Sequence, residues 1–373
     1  IDTDITNAES PVSGLSLSAN GFNITLGGSL YNSSGGTYVA WCWKAGGAAR
    51  NNTNGSIASL VSANTAAGFS IVSYTGNNLD ATIGHGLSSV PEMIIVKNRD
   101  NSDATFNGRW FVYHSVLGNQ GAIYLNLADA AISGNLYPWN STSPTSTVFS
   151  VDSDVASFDL SILGNNYIAY CFHSVDGYSK FGSYVGTGAA GNSIVTGFRP
   201  AFVMVKRTDS PASWFILDNK RSPSNPNNLY LSPNNANQEL NLQTTDSLDF
   251  INFLSNGFEI LNGVVGNANG GSYIFMAFAE EVFANSFNTV LYTGNGGTQA
   301  VTGLGFQPDL VWVKGRSTSN QDHTIVDSVR GISKRIRPSY TSAEALESGF
   351  NVTAFNSDGF TLVDNTAGAY NVN

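Results

Sequence analysis

The sequence predicts an all-β protein made of tandem antiparallel β-sandwiches, with about three units. Three observations predict this. The apolar runs are short, β-branched or aromatic, and punctuated by Gly, Asn, Ser and Pro, as strands and turns require. No sustained 3.6-residue apolar stripe appears, and only Ser342–Ser348 has the pattern of one helical turn. The same anchors return with a period of about 108 residues. A jelly roll and a lectin-like sandwich both satisfy this pattern.

The first anchor is a tyrosine followed by a turn. Val72-Ser73-Tyr74-Thr75-Gly76-Asn77 returns as Gly182-Ser183-Tyr184-Val185-Gly186-Thr187 and as Val290-Leu291-Tyr292-Thr293-Gly294-Asn295. The second runs from proline to lysine: Pro91–Lys97, Pro200–Lys206 and Pro308–Lys314. The third is Tyr38-Val39-Ala40-Trp41-Cys42-Trp43, matched by Tyr167–Phe172 and Tyr273–Phe278. A Phe-led strand precedes each copy, at Phe22, Phe149 and Phe258, and a fourth stands at Phe360. Its Tyr strand is expected near residue 376, past Asn373.

The register divides the chain accordingly. Residues 1–50 carry the closing strands of a unit, and 51–68, rich in Gly, Asn, Ala and Ser, read as a linker. Units follow at 69–177 and 178–283, and 286–373 forms a unit lacking its final strand. The strand Tyr38–Trp43 has no unit of its own. Strand addition would let Tyr38, Val39, Ala40, Trp41, Cys42 and Trp43 cover the raw edge of the last unit. Within one chain this closes a ring of three; between chains it builds a head-to-tail filament.

Composition excludes several functions. Among 373 residues 42% are hydrophobic and 12% charged, roughly half the ~25% usual for globular domains. That apolar share is too high for wholesale disorder. No apolar run approaches the ~18 residues that span a bilayer. Lys and Arg together number 17 and the net charge is -10, which argues against a nucleic-acid partner. Ile1–Ser10 is not a signal peptide, and a first residue other than Met reads as a processed chain or a piece of a longer one.

Site chemistry is sparse. Cys42 and Cys171 occupy the same position of the same anchor in different units, so they read as buried thiols too far apart for a disulfide. His85, His114, His173 and His323 lack metal-ligand spacing, so no metal and no cofactor is expected, although scattered loop oxygens can hold Ca²⁺. The paired acids Glu280-Glu281 and Asp152/Asp154 do not recur between units and there is no GxSxG elbow, so no catalytic residue is assigned. Lys97, Lys206 and Lys314 recur, as strand-end cations that snorkel or guard an edge, or as anion contacts. Asp218 and Asp327 also match and suggest Lys–Asp pairs inside each unit. Tyr137 and Trp139 stand in a polar, non-repeated loop and are the candidate glycan contacts.

Tyr292–Gly296, Gly305–Lys314, Asp327–Gly331, Phe355–Phe360 and Tyr38–Gly46 together resemble a repeat domain of phage structural proteins, common in marine phages and often labelled tail-fibre or virion proteins or a domain of unknown function. The resemblance implies a place on the virion surface, outside the cell, and supplies no catalytic residues. In such chains the Asp-Leu-Val-Trp unit comes first; here it comes last. The expected function is a non-enzymatic, self-assembling structural protein of a phage particle, partnered by itself and other virion proteins, with host-surface adhesion. A glycan-binding adhesin is the alternative, and a polysaccharide-degrading enzyme stands behind it.

Overall fold

In the computed structural model the chain is described at residues 2–6, 15–18, 20–24, 35–100, 108–132, 138–153, 160–280, 287–317, 322–332, 334–346 and 350–364. It is an all-β protein of sandwich type. Among the described residues the one helix is the single turn Leu242–Thr245, capped by the Asn241 side chain on the Gln243 N–H. The described part of Ser342–Ser348 holds no helical turn: Arg337–Ser342 and Ala345–Leu346 are strands.

Three large sheets share one strand order. In the first it is Trp110–His114, Met93–Asn98, Asn166–Phe172, Phe69–Thr75. In the second it is Phe215–Asp218, Pro200–Arg207, Ser272–Ala279, Ser179–Val185. The third runs Thr324–Asp327, Leu310–Gly315, Thr37–Trp43, Phe287–Thr293, with Asp2–Thr6 and Arg337–Ser342 beyond its first edge. Smaller sheets face them, such as Asn192–Val195, Gly257–Ile260 and Ile251–Leu254 in the second unit.

The side-chain period of two explains why the central strands read as unbroken apolar runs. Along Asn166–Phe172, Tyr167, Ala169 and Cys171 enter the core of the first sandwich. Ile168, Tyr170 and Phe172 point the other way, into a core shared with the other two units. Ser272–Ala279 alternates in the same way, with Tyr273, Phe275 and Ala277 inward and Ile274, Met276 and Phe278 in the shared core. Each large sheet is therefore covered on both faces, and the three back faces meet. The anchor tyrosines sit opposite one another in neighbouring strands and stack: Tyr74 on Tyr167 at 4.9 Å, Tyr184 on Tyr273 at 4.9 Å, and Tyr292 on Tyr38 at 5.1 Å. Their glycines are fixed by close approach. A Cβ on Gly76 would lie 2.3 Å from the Ile162 carbonyl oxygen, and one on Gly186 would lie 2.1 Å from that of Ala268.

Residues 51–68 are not a linker. Ser59–Asn64 pairs antiparallel with Phe69–Thr75 and carries Arg50–Asn52 on its outer side, so the first sheet has seven strands. The small, polar composition hid a strand whose inward positions are Val61 and Ala63, alternating with an exposed Leu60. Cys42 and Cys171 are free thiols in two different sandwich cores.

Candidate assembly interface

The third unit holds a strand from the far end of the chain. Thr37–Trp43 lies antiparallel between Phe287–Thr293 and Leu310–Gly315, with Trp43 opposite both Phe287 and Leu310. Tyr38, Ala40 and Cys42 fill the sandwich core of that unit, while Val39, Trp41 and Trp43 enter the shared core. All six are buried. The Trp43 ring lies 6.5 Å from Phe172, 5.7 Å from Phe278 and 5.0 Å from Phe287, so one side chain of the inserted strand touches rings of all three units. The strand end is pinned by Asp309, whose Oδ2 accepts from the Ala45 and Gly47 N–H groups and whose Oδ1 accepts from the Ser328 hydroxyl.

Three ring N–H donors run in one direction between the units around this core. The Trp110 Nε1–H of the first unit donates to the Arg337 carbonyl of the third at 3.1 Å. The Nε2–H of His323 in the third donates to the Ser232 carbonyl of the second at 3.0 Å, and Trp214 of the second donates to the Tyr124 carbonyl of the first at 2.8 Å. First to third, third to second, second to first: the same surface is used head to tail and the cycle closes.

A second layer of contacts follows the same direction and shows where the units differ. Trp41 Nε1–H donates to Asp218 Oδ2, and the Tyr170 hydroxyl donates to Asp327 Oδ2. Both carboxylates are fully buried and each is gripped by an arginine three residues on, Arg221 or Arg330, at 2.5 Å. At the remaining junction the position of Trp41 and Tyr170 is taken by Met276, that of the aspartates by His114, and that of the arginines by Leu117. Donor, acceptor and countercharge are replaced together, so no buried charge is stranded. His114 keeps one duty of the aspartates: its Nδ1 accepts the Val116 N–H, as Asp327 Oδ1 accepts that of Val329. The expected Lys–Asp pairs do not form, because arginine holds both carboxylates. The recurring lysines do not snorkel either. Lys97, Lys206 and Lys314 are fully buried and donate to backbone carbonyls, and Lys206 reaches Asp129 in the first unit at 2.8 Å.

A family described as a domain of unknown function (DUF7483) matches residues 1–282 and 284–373. The chain belongs to this family. No curated protein and no solved structure matches it. In this DUF7483 chain Trp139, expected as a sugar-stacking ring, is 1% exposed, packs edge-on against Tyr113 at 5.6 Å and donates its Nε1–H to the Gly121 carbonyl. It plugs the end of the first sandwich and has no face to offer a glycan; its partner Tyr137 lies outside the described residues, as do Asp154 and Glu281. Glu280 accepts from Lys220 and Asn219 at the surface. Among the described residues no group of three His, Cys, Asp or Glu could hold a metal, and no helix is long and apolar enough to cross a membrane.

Three buried histidines are held neutral. Burial pushes His114 down to about 4, and lowers His323, where Lys314 also disfavours a second charge, and His85. Their hydrogen bonds agree: Nδ1 of His323 accepts from Trp312 while Nε2–H donates, and Nδ1 of His85 accepts from Leu87. The unfolded chain takes up these protons near pH 6.5 and the folded chain does not. Stability is therefore full above pH 6.5 and falls as pH drops toward 4, by up to about 1.4 kcal/mol per pH unit for each histidine. Burial raises the Asp309 carboxyl, which acts in the opposite sense for one group only. The melting temperature should drop steadily from pH 7 to pH 4.5; a flat profile over that window would contradict neutral burial.

Proposed function

We propose that the chain is a non-enzymatic structural module of a phage particle surface, in a tail fibre, spike or decoration, with itself and other virion proteins as partners. The insertion of Thr37–Trp43 into the third unit carries this reading. A unit finished by a strand from the other end of the same chain, on a core made of three back faces, is built as one interlocked structural body and not around a reaction centre. The resemblance to phage structural repeats supports the same conclusion, as does a weakly charged Gly/Asn/Ser/Thr surface. The glycan-binding alternative loses the ring that motivated it, because Trp139 is interior. Antibodies against the folded chain should decorate intact particles of the virus that encodes it. Particles that remain unlabelled while the protein is found only in infected-cell lysate would overturn the reading, and release of reducing sugar from host polysaccharide would replace it with an enzyme.

A further inference from the structure

Where the chain leaves the third unit and enters the first, a cleft of about 920 Å³ opens between residues 44–48, the 63–66 turn of the first unit and the 305–309 loop of the third. Side chains fix its backbone walls. The Ser62 hydroxyl accepts from the Gly46 N–H and donates to the Gly47 carbonyl, and the Asn64 amide donates to the Lys44 carbonyl. Asp309 grips the Ala45 and Gly47 N–H groups, and on the opposite bank Asp358 accepts from the Gly303 and Gly305 N–H groups. The cleft is therefore set in shape before any ligand arrives, which removes part of the ordering cost of binding.

The polar side chains that line this fixed frame are unoccupied. Among the described residues, the Lys44, Thr65, Gln307 and Ser357 side chains make no hydrogen bond and no ion pair. A second cleft of about 220 Å³ adjoins the first through Gly46, Ala48 and Ala63. It adds Arg50 and Asn51, both exposed and with side chains likewise unbonded among the described residues. The acids at hand are already engaged, because both oxygens of Asp309 and both of Asp358 accept from N–H or O–H donors. Lys44 favours the Asp309 charge through space but forms no ion pair with it. Two cations thus stand in the joined clefts without a contacting carboxylate, in a chain whose net charge is -10. Apolar anchors are missing: Phe306 and Val61 are 3% and 6% exposed, and small residues fill much of the lining. A protein partner needs a buried apolar or aromatic anchor near the centre of its contact. A sugar chain needs converging amides, hydroxyls and, where it is acidic, cations.

We infer that the joined clefts bind a uronic-acid polysaccharide, its carboxylates against Lys44 and Arg50 and its hydroxyls against Asn51, Thr65, Gln307 and Ser357. The volume is that of a small-molecule site, and an exposed guanidinium suits a carboxylate. Such binding would hold whether or not the chain sits on a particle. Calorimetric titration of the purified chain tests it with three probes: a uronic-acid tetrasaccharide, the same sugar with its carboxyl groups reduced to alcohols, and tetraglutamate. The uronate should bind at least tenfold more tightly than either of the others, and less tightly as salt rises. Lys44→Gln and Arg50→Gln should each weaken it about tenfold. Ala66→Trp, at an exposed position in the first cleft, should abolish it without touching a charge. Arg199→Gln, exposed on the second unit, should leave it unchanged, and all four variants should keep the parent melting temperature. Equal affinity for the reduced sugar, no binding of the uronate, or full affinity in Ala66→Trp would each overturn the assignment. So would tetraglutamate binding as tightly as the uronate, which would make the clefts a docking site for an acidic protein segment.

Discussion

A chain lacking residues 1–46 should fail to fold its third unit, and a synthetic peptide spanning residues 35–46 should restore it. The deletion removes Thr37–Trp43, a strand flanked on both sides, and opens both ladders it completes; it also takes Asp2–Thr6 from the far side of the same sheet, which the peptide does not replace. It also strips Tyr38, Ala40 and Cys42 from one core and Val39, Trp41 and Trp43 from another. At about 1.5–3 kcal/mol for each large buried apolar side chain, the loss rivals the roughly 5–15 kcal/mol that holds a domain together. Trp41 and Trp43 contact the second unit as well, Trp41 through Phe202 and Asp218. The damage should therefore spread beyond the third unit. Hydrogen exchange read strand by strand would show it: protection should vanish in Leu310–Gly315 and Thr324–Asp327 and weaken in Pro200–Arg207. A deleted chain with full protection in those strands would mean that the inserted strand is ornamental.

The inserted strand was legible in the sequence because it carries a full anchor, Tyr38–Trp43, in a place where no unit accompanies it. The tyrosine anchors were legible for the same reason, since a residue that fits one geometry returns wherever that geometry returns; their stacking across neighbouring strands was not. What escaped has a common physical cause. The cycle of Trp110, Trp214 and His323 ends on backbone carbonyls, and a carbonyl acceptor leaves no mark on side-chain identity. Ser59–Asn64 escaped because half-exposed Ser, Ala and Asn carry little apolar signal, although Val61 and Ala63 alternate correctly. Trp139 misled because a tryptophan beside Pro and Asn reads as a loop ring, while its burial is set by Tyr113 and Gly121 from an earlier strand and turn. The lysines showed their recurrence but not their burial, since the carbonyls that receive Lys206 belong to another unit. One signal was available and went unread. Asp218 and Asp327 are each followed three residues on by Arg, whereas His114 is followed by Leu117, and that linked exchange marks a buried ion pair more specifically than the aspartate alone.

Replacing Glu344 by Gln should cost about 3–5 kcal/mol, the range for removing one partner from a buried charge network. The Glu344 carboxylate receives Arg99 through Nε at 2.5 Å and Nη2 at 2.6 Å, and Arg330 through Nη1 at 3.2 Å. It joins two units, since Arg99 belongs to the first and Glu344 to the third, and its backbone N–H also donates to the Arg99 carbonyl. An amide in its place can accept but carries no charge, so Arg99 and Arg330 would lose the carboxylate they share. The attribution can be checked by removing both signs together. A chain with Arg99→Met, Arg330→Leu, Asp327→Leu and Glu344→Leu keeps comparable volume and leaves no buried charge, since Lys334 is a third exposed and can turn to water; it should recover much of the lost stability, less the cost of the Tyr170 hydroxyl that loses Asp327. The junction around Met276, His114 and Leu117 is the natural precedent for such a swap within the same chain. Urea melts of the single and quadruple variants decide the matter. If the quadruple variant is no more stable than Glu344→Gln, the network acts by fixing the shape of the junction, not by balancing its charge, and the apolar precedent does not transfer.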